Sequence, residues 1–118
     1  MSEEIYRIEK RDNIAIMVLL LDTFTYEDNE KLMNPFDDLL KEGISNIILD
    51  LSRTRYVSSL ILASLLFMLK KAQEGGGNLI LCNVKDRVKE IMAVTKLDKI
   101  FDITDTVEKA MNKFSRGS

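Results

Sequence analysis

A chain of 118 residues is one domain's worth of polypeptide, and its 46% apolar and 31% charged residues describe a folded protein rather than a disordered one. With 17 basic and 19 acidic residues the formal net charge is −2, which supplies no broad attraction for nucleic acid or an anionic membrane. There is no histidine, which removes the usual general base, the usual partner of a nucleophile and the commonest zinc ligand, so expectations for catalysis are lowered.

The N-terminal stretch MSEEIYRIEK is charged and has no apolar signal core, so no targeting segment is expected. Residues 4–10 carry Ile5 and Ile8 in near alternation, Arg11-Asp12-Asn13 offers a turn, and IAIMVLLL follows. This predicts a hairpin whose second strand is buried on both faces. In DTFTYEDNEKLMNPFDDLLKEG, Thr25 and Asp28 have capping-box spacing, and Leu32, Met33, Phe36, Leu39 and Leu40 keep helical spacing up to a stop at Gly43. Pro35 lacks a backbone donor and is expected to kink or divide that helix.

NIILDL at residues 46–51 reads as a short strand, and the polar SRTR leads into YVSSLILASLLFMLKKA. Ser58 or Ser59 is the expected N-cap of a helix running to about Glu74, stopped by Gly75-Gly76-Gly77. The helix is apolar nearly all round, which predicts burial against several neighbours. The longest apolar runs, residues 14–21 and 60–69, fall far short of the roughly 20 needed to span a bilayer, so both are expected in the core.

NLILCN is the next strand, and Cys82 within it, the single cysteine, reads as a buried structural thiol. Asn83 or Asp86 is expected to open a helix with Val84, Val88, Ile91 and Met92 on one face. KIFDI reads as a short extended piece. Asp105 and Glu108 suggest the cap of a last helix carrying Val107, Met111 and Phe114, followed by a frayed tail over about residues 113–118. The fold class is therefore α/β: one domain over residues 1–118, with a single mixed, mostly parallel sheet of four to five strands and about four helices packed on it. Its functional surface is expected around residues 50–59, where a strand ends and a helix starts.

Neither GxxxxGK[ST] nor GxGxxG occurs, and Gly75–Gly77 follows a helix and precedes a strand, the wrong context for a phosphate loop. Asp37, Asp38, Asp102 and Asp105 lack metal-ligand spacing, and the pairs Arg53/Arg55 and Lys70/Lys71 are too sparse for nucleic-acid recognition. No cofactor, metal or nucleic-acid partner is expected. A small enzyme using Ser59 or Cys82 would need a lysine or carboxylate as its base.

IILDLSRTRYVSSLILASLL and GGGNLILCNVKDRVKEIMAVTKLDKIFDITDTVEKAM together resemble the STAS domain family of bacterial anti-sigma-factor antagonists. The residues that carry the likeness are a strand ending L-D-L, an aromatic–apolar pair before Ser-Ser, and the late run L-D-x-I-F-x-I-x-D-T-V-x-x-A. The resemblance implies a cytoplasmic regulator without catalytic activity, working as a monomer or weak homodimer. Its partner would be an anti-sigma factor that is also a serine kinase. Unphosphorylated antagonist sequesters that kinase, phosphorylation at the helix start breaks the complex, and a serine phosphatase restores it.

The family's motif is Asp-Ser-Ser-Gly, with the second serine modified, and this chain departs from it. Matching serine pair to serine pair makes Ser59 the phospho-acceptor and puts Val57 at the aspartate and Leu60 at the glycine. Counting ungapped from the strand puts Ser58 on the aspartate, Ser59 on the first serine, Leu60 on the acceptor and Ile61 on the glycine. The sequence leaves both registers open, with Ser59 the first choice of acceptor and Ser58 the second. On the first choice Ser58 caps the helix and Ser59 carries the modification, while Leu60 and Ile61 form part of the partner's landing surface. Arg53, Thr54, Arg55 and Tyr56 are expected to line the loop the partner touches, with the alternative for Tyr56 of a core aromatic that anchors the helix start. Asp22 is expected either beside that surface or as a turn carboxylate.

Overall fold

The structure is a computed structural model that describes residues 5–116. In chain order the elements are β1 (Tyr6–Arg11), β2 (Ile14–Leu19), β3 (Thr23–Phe24), a 3-10 turn at Tyr26–Asp28, α1 (Asn29–Lys41), β4 (Asn46–Asp50), β5 (Tyr56–Val57) and α2 (Ser59–Glu74). There follow β6 (Asn78–Cys82), α3 (Asp86–Val94), a second 3-10 turn at Leu97–Lys99, β7 (Asp102–Thr104) and α4 (Val107–Arg116). The sheet has the order β1-β2-β4-β6-β7, antiparallel between β1 and β2 and parallel elsewhere. β3 and β5 form a separate parallel pair. The hairpin turns through Asp12, whose positive φ of 55° is tolerated by a short polar side chain. Glu4, at the start of the expected first strand, lies outside the described residues.

Alternating side chains divide the core between the two faces of the sheet. Ala15, Met17, Ile47, Leu49, Leu79 and Leu81 point one way, under Leu32, Phe36 and Leu39 of α1, Ile61, Leu65 and Met68 of α2, and Val88 and Met92 of α3. Ile14, Ile16, Ile48, Ile80 and Cys82 point the other way, under Ala110 and the half-buried Val107, Met111 and Phe114 of α4. Central strands buried on both faces account for the nearly unbroken apolar runs.

Two helices end in the same way. Gly43 takes φ +88°, its N–H donating to the Leu40 carbonyl (3.0 Å) and that of Ile44 to the Leu39 carbonyl (2.9 Å). Gly76 takes φ +89°, with Gly76 N–H on the Gln73 carbonyl (3.0 Å) and Gly77 N–H on the Ala72 carbonyl (2.9 Å). These bonds satisfy carbonyls that the helix leaves unpaired. Gly77 is required for space: a Cβ there would stand 2.1 Å from the Ser45 carbonyl oxygen.

Several local expectations are corrected. Pro35 lies inside α1 without dividing it, because the buried Leu32, Phe36 and Leu39 hold the helix on the sheet across the missing donor. The capping box at Thr25 forms in one direction, Thr25 N–H donating to Asp28 Oδ2 (3.0 Å), and it precedes the 3-10 turn rather than α1 itself. Of the two expected openings of α3, Asp86 is its first residue, with Lys85 at the N-cap, and Val84 lies before the helix rather than on its face. Of the expected extended piece KIFDI, Lys99 ends a 3-10 turn and only Asp102 and Ile103 are strand, within the three-residue β7. The last helix is capped by Thr106, whose Oγ1 accepts from Lys109 N–H (3.1 Å), not by Asp105 and Glu108. Helix α4 runs to Arg116, and residues 117–118 of the expected tail lie outside the described residues.

Helix α2 is not buried all round. Ile61, Leu62, Leu65, Met68, Leu69 and Ala72 face inward, whereas Leu60 and Phe67 are 49% and 48% exposed. Seven residues apart, those two share an outer face.

Candidate functional site

The start of α2 is pinned from below on both sides of the serine pair, since Val57 and Ile61 are 2% and 0% exposed. Ser58 has extended backbone (φ −78°, ψ 162°), and its Oγ accepts the N–H of Ile61 at 3.2 Å, satisfying one of the donors a helix start leaves orphaned. Ser58 is therefore the cap, as one reading of the sequence expected. Ser59 is the first helical residue; it is exposed and its hydroxyl makes no hydrogen bond to any described residue. Leu60 beside it is exposed, and one face further along Lys71 Nζ lies 5.5 Å from the centre of the Phe67 ring.

The loop before the serines is fastened to the exit of β2. Thr54 Oγ1 donates to the Leu21 carbonyl (2.9 Å), and the N–H groups of Arg55 and Tyr56 donate to the Asp22 carbonyl (2.8 and 3.3 Å). The Arg55 guanidinium grips the Asp22 carboxylate with both prongs, Nε to Oδ1 at 2.6 Å and Nη2 to Oδ2 at 3.0 Å. The Arg55 hydrogen bond holds the Asp22 carboxyl below the usual carboxylate range despite some desolvation, with the charges of Arg55 and Lys85 adding to the effect. Both partners are exposed, so the pair orients the loop more than it stabilises the fold. Beside it, Asp50, 8% exposed, accepts the Ser52 N–H at 2.9 Å.

Two expected partner-contact residues, and the core alternative for Tyr56, are placed differently by the structure. Thr54 and Ile61 are fully buried, so neither presents a side chain to a partner; the first is held by Leu21 and the second packs under the cap. Tyr56 is 47% exposed rather than a core anchor, because Val57 takes the inward position of that two-residue strand. Asp22, Arg53, Arg55, Tyr56, Ser59 and Leu60 all reach the surface. Arg87 joins Asp22, Arg55 and Tyr56 around one depression of about 450 Å³, and Lys85 joins Asp22, Arg53 and Arg55 around another of about 330 Å³. Lys85 and Arg87 were legible in principle, since they follow the strand NLILC directly and connections after parallel strands converge at one end of the sheet.

Cys82 is buried, and burial pushes its thiol up to about 12, with the Asp50 charge a lesser contribution. It stays protonated at neutral pH and is a core side chain. Among the described residues no group of three or more His, Cys, Asp or Glu side chains is placed to hold a metal ion, and no helix is long and apolar enough to cross a membrane.

Residues 5–110 match the STAS domain family model. The chain belongs to the STAS domain family. Over 81 residues this STAS domain is 32% identical to a candidate anti-sigma factor antagonist of Thermotoga maritima, covering 69% of this chain and 72% of that one. A crystal structure of a candidate anti-sigma factor antagonist from Thermotoga maritima superposes with a TM-score of 0.83 at 26% identity, covering 93% of this chain and 94% of that one. The Bacillus cell-fate determinant SpoIIAA in its phosphorylated form shares the fold, with a TM-score of 0.70 at 15% identity over 92% of this chain and 97% of that one.

Proposed function

We propose that this STAS domain is a cytoplasmic anti-sigma factor antagonist that binds an anti-sigma factor with serine kinase activity through the surface at the start of α2, and that it has no catalytic activity of its own. The observation that carries the reading is the division of labour between the two serines: Ser58 is occupied as the cap, while Ser59 stands exposed next to exposed Leu60, its hydroxyl without a hydrogen bond among the described residues. A phosphoryl group on Ser59 would add a charge of about −1.5 to −2 where the positive end of a helix accepts it, so the fold would survive while the apolar landing surface is spoiled. That SpoIIAA, with the same fold, has a phosphorylated form supports a switch of this kind.

A second reading, a constitutive antagonist that is never phosphorylated, is favoured by Val57. Its side chain is 2% exposed, a place ill-suited to the aspartate of the family motif, whereas Ser58 occupies a cap position that aspartate fills equally well. That register puts Leu60 where the acceptor would be. Incubation with the anti-sigma kinase of the same organism and ATP, followed by mapping of the phosphate, separates the readings. Phosphate on Ser59, with Ser59→Asp binding the kinase at least about tenfold more weakly than Ser59→Ala, supports the switch. Tight binding without phosphate on either serine supports the constitutive form, and no binding by any variant refutes both.

A further inference from the structure

A cluster of basic side chains lies around two depressions at the carboxyl ends of the parallel strands. The two depressions there share Asp22 and Arg55, which neutralise one another. Arg87 borders the first, and Arg53 and Lys85 border the second. All three are exposed, and none has an ion-pair partner within 4.0 Å among the described residues. Asp86 lies in the same turn but lines neither depression. Three unpaired cations thus gather in one patch of a chain whose net charge is −2.

A compact anion is a poor fit. Phosphate sites use converging backbone donors or an enclosing pocket, but Ser58 already takes the Ile61 N–H and Asp86 occupies the first turn of α3. The Asp22–Arg55 pair is shared by both depressions, with Arg87 bordering one and Arg53 and Lys85 the other, so a single small anion seated in either meets that neutral pair instead of all three cations. Carboxylates spaced along a protein segment avoid it, each facing one cation. Exposed Tyr56, which lines the first depression, and exposed Leu60 four residues on add apolar surface, the composition of an interface core beside a charged rim.

We propose that this patch docks an acidic segment of a protein partner, with carboxylates set against Arg53, Lys85 and Arg87 and apolar side chains against Tyr56 and Leu60. The proposal rests on the reading that a partner protein binds at this end of the molecule, and adds the charge that partner must carry. Its test is a titration of isotope-labelled protein with a polyglutamate peptide of roughly ten residues, followed by amide shifts. Shifts are expected at residues 52–56 and 84–88, with apparent affinity falling about tenfold between about 50 and 300 mM salt. The triple variant Arg53→Glu, Lys85→Glu, Arg87→Glu should lose them while melting as the parent does. The absence of shifts, or shifts that survive in the triple variant, overturns the proposal. So does tighter binding at the same residues by ATP, inorganic phosphate or phosphatidylserine vesicles, which would assign the patch to a small anion or a membrane. The anti-sigma factor of the same organism is titrated in parallel. Binding that the triple variant leaves unchanged sinks the acidic segment but spares the antagonist reading. Uptake of polyglutamate without uptake of the anti-sigma factor does the reverse.

Discussion

Ser58→Ala removes one acceptor and nothing else of consequence, so its cost is calculable. The bond it deletes, from Ile61 N–H at 3.2 Å, is at the long end of the normal range. Its donor belongs to a residue whose side chain is fully buried, so water replaces the lost partner poorly. N-cap deletions cost about 0.5–2 kcal/mol, and the long bond places this one near ~1 kcal/mol. For a domain of this size that is a fall in melting temperature of about 3–6 °C. Urea unfolding followed by helical circular dichroism should show the midpoint shifted at unchanged slope, because the surface exposed on unfolding is the same. Ser59→Ala is the internal control: an exposed hydroxyl without a hydrogen bond is replaced by the best helix former, so stability should stay within about 0.5 kcal/mol. Ser58→Asp should keep the cap, since aspartate serves there as well as serine. A Ser58→Ala protein as stable as the parent, or a Ser59→Ala protein that loses more, would refute the assignment of roles.

Other tests probe the scaffold. Leu65→Ala, at 1% exposure between α2 and the sheet, should cost about 2–5 kcal/mol, and Leu66→Ala, half-buried, clearly less; equal losses in chemical denaturation would contradict the placement of the helix. Gly76→Ala pays only for its left-handed backbone, about 1–2 kcal/mol, whereas Gly77→Ala drives a Cβ into the Ser45 carbonyl and should cost more; the reverse order of melting temperatures would show the close approach to be wrong. Native Cys82 should resist thiol reagents at neutral pH that modify the unfolded chain rapidly. Because its folded pKa is raised from 9.0 to about 12, the neutral thiol's contribution is complete below about pH 9 and is lost as pH rises toward 12. Cys82→Ala should therefore lose less stability than the parent between neutral and alkaline pH, and identical pH profiles would count against the burial.

Much of the fold was legible because it rests on local patterns. Doubly buried strands read as apolar runs, helix stops as Gly43 and Gly75–Gly77, and the family likeness as contiguous motifs. What escaped the sequence depends on partners distant in the chain. The β3–β5 pair is two residues per strand, too short for any periodicity, and it decides that Val57 faces inward and Tyr56 outward. Thr54 is polar and sits in a polar loop, so only the Leu21 carbonyl explains its burial. Pro35 obeyed packing over propensity. Of the candidate surface, the sequence singled out Ser58 and Ser59 from the motif and Asp22 and Arg55 from the neighbouring strand end and loop, while Lys85 and Arg87 came into view only with the strand order.

The fastening of the 54–56 loop to the end of β2 bears on how genetic data from this surface must be interpreted. Asp22 offers its carboxylate and its carbonyl to the same short segment, 33 residues away in sequence through the Arg55 side chain. An alanine at Asp22 keeps the carbonyl and frees the guanidinium, so it adds an unpaired cation as well as loosening the loop. A lost phenotype would then have two origins, and a gained one would have a ready cause in stronger attraction for a negatively charged partner. Asp22→Ala and Arg55→Ala should accordingly diverge in their effect on recognition while loosening the same loop, and an allele pair that separates in this way distinguishes geometry from charge without any structure of the complex.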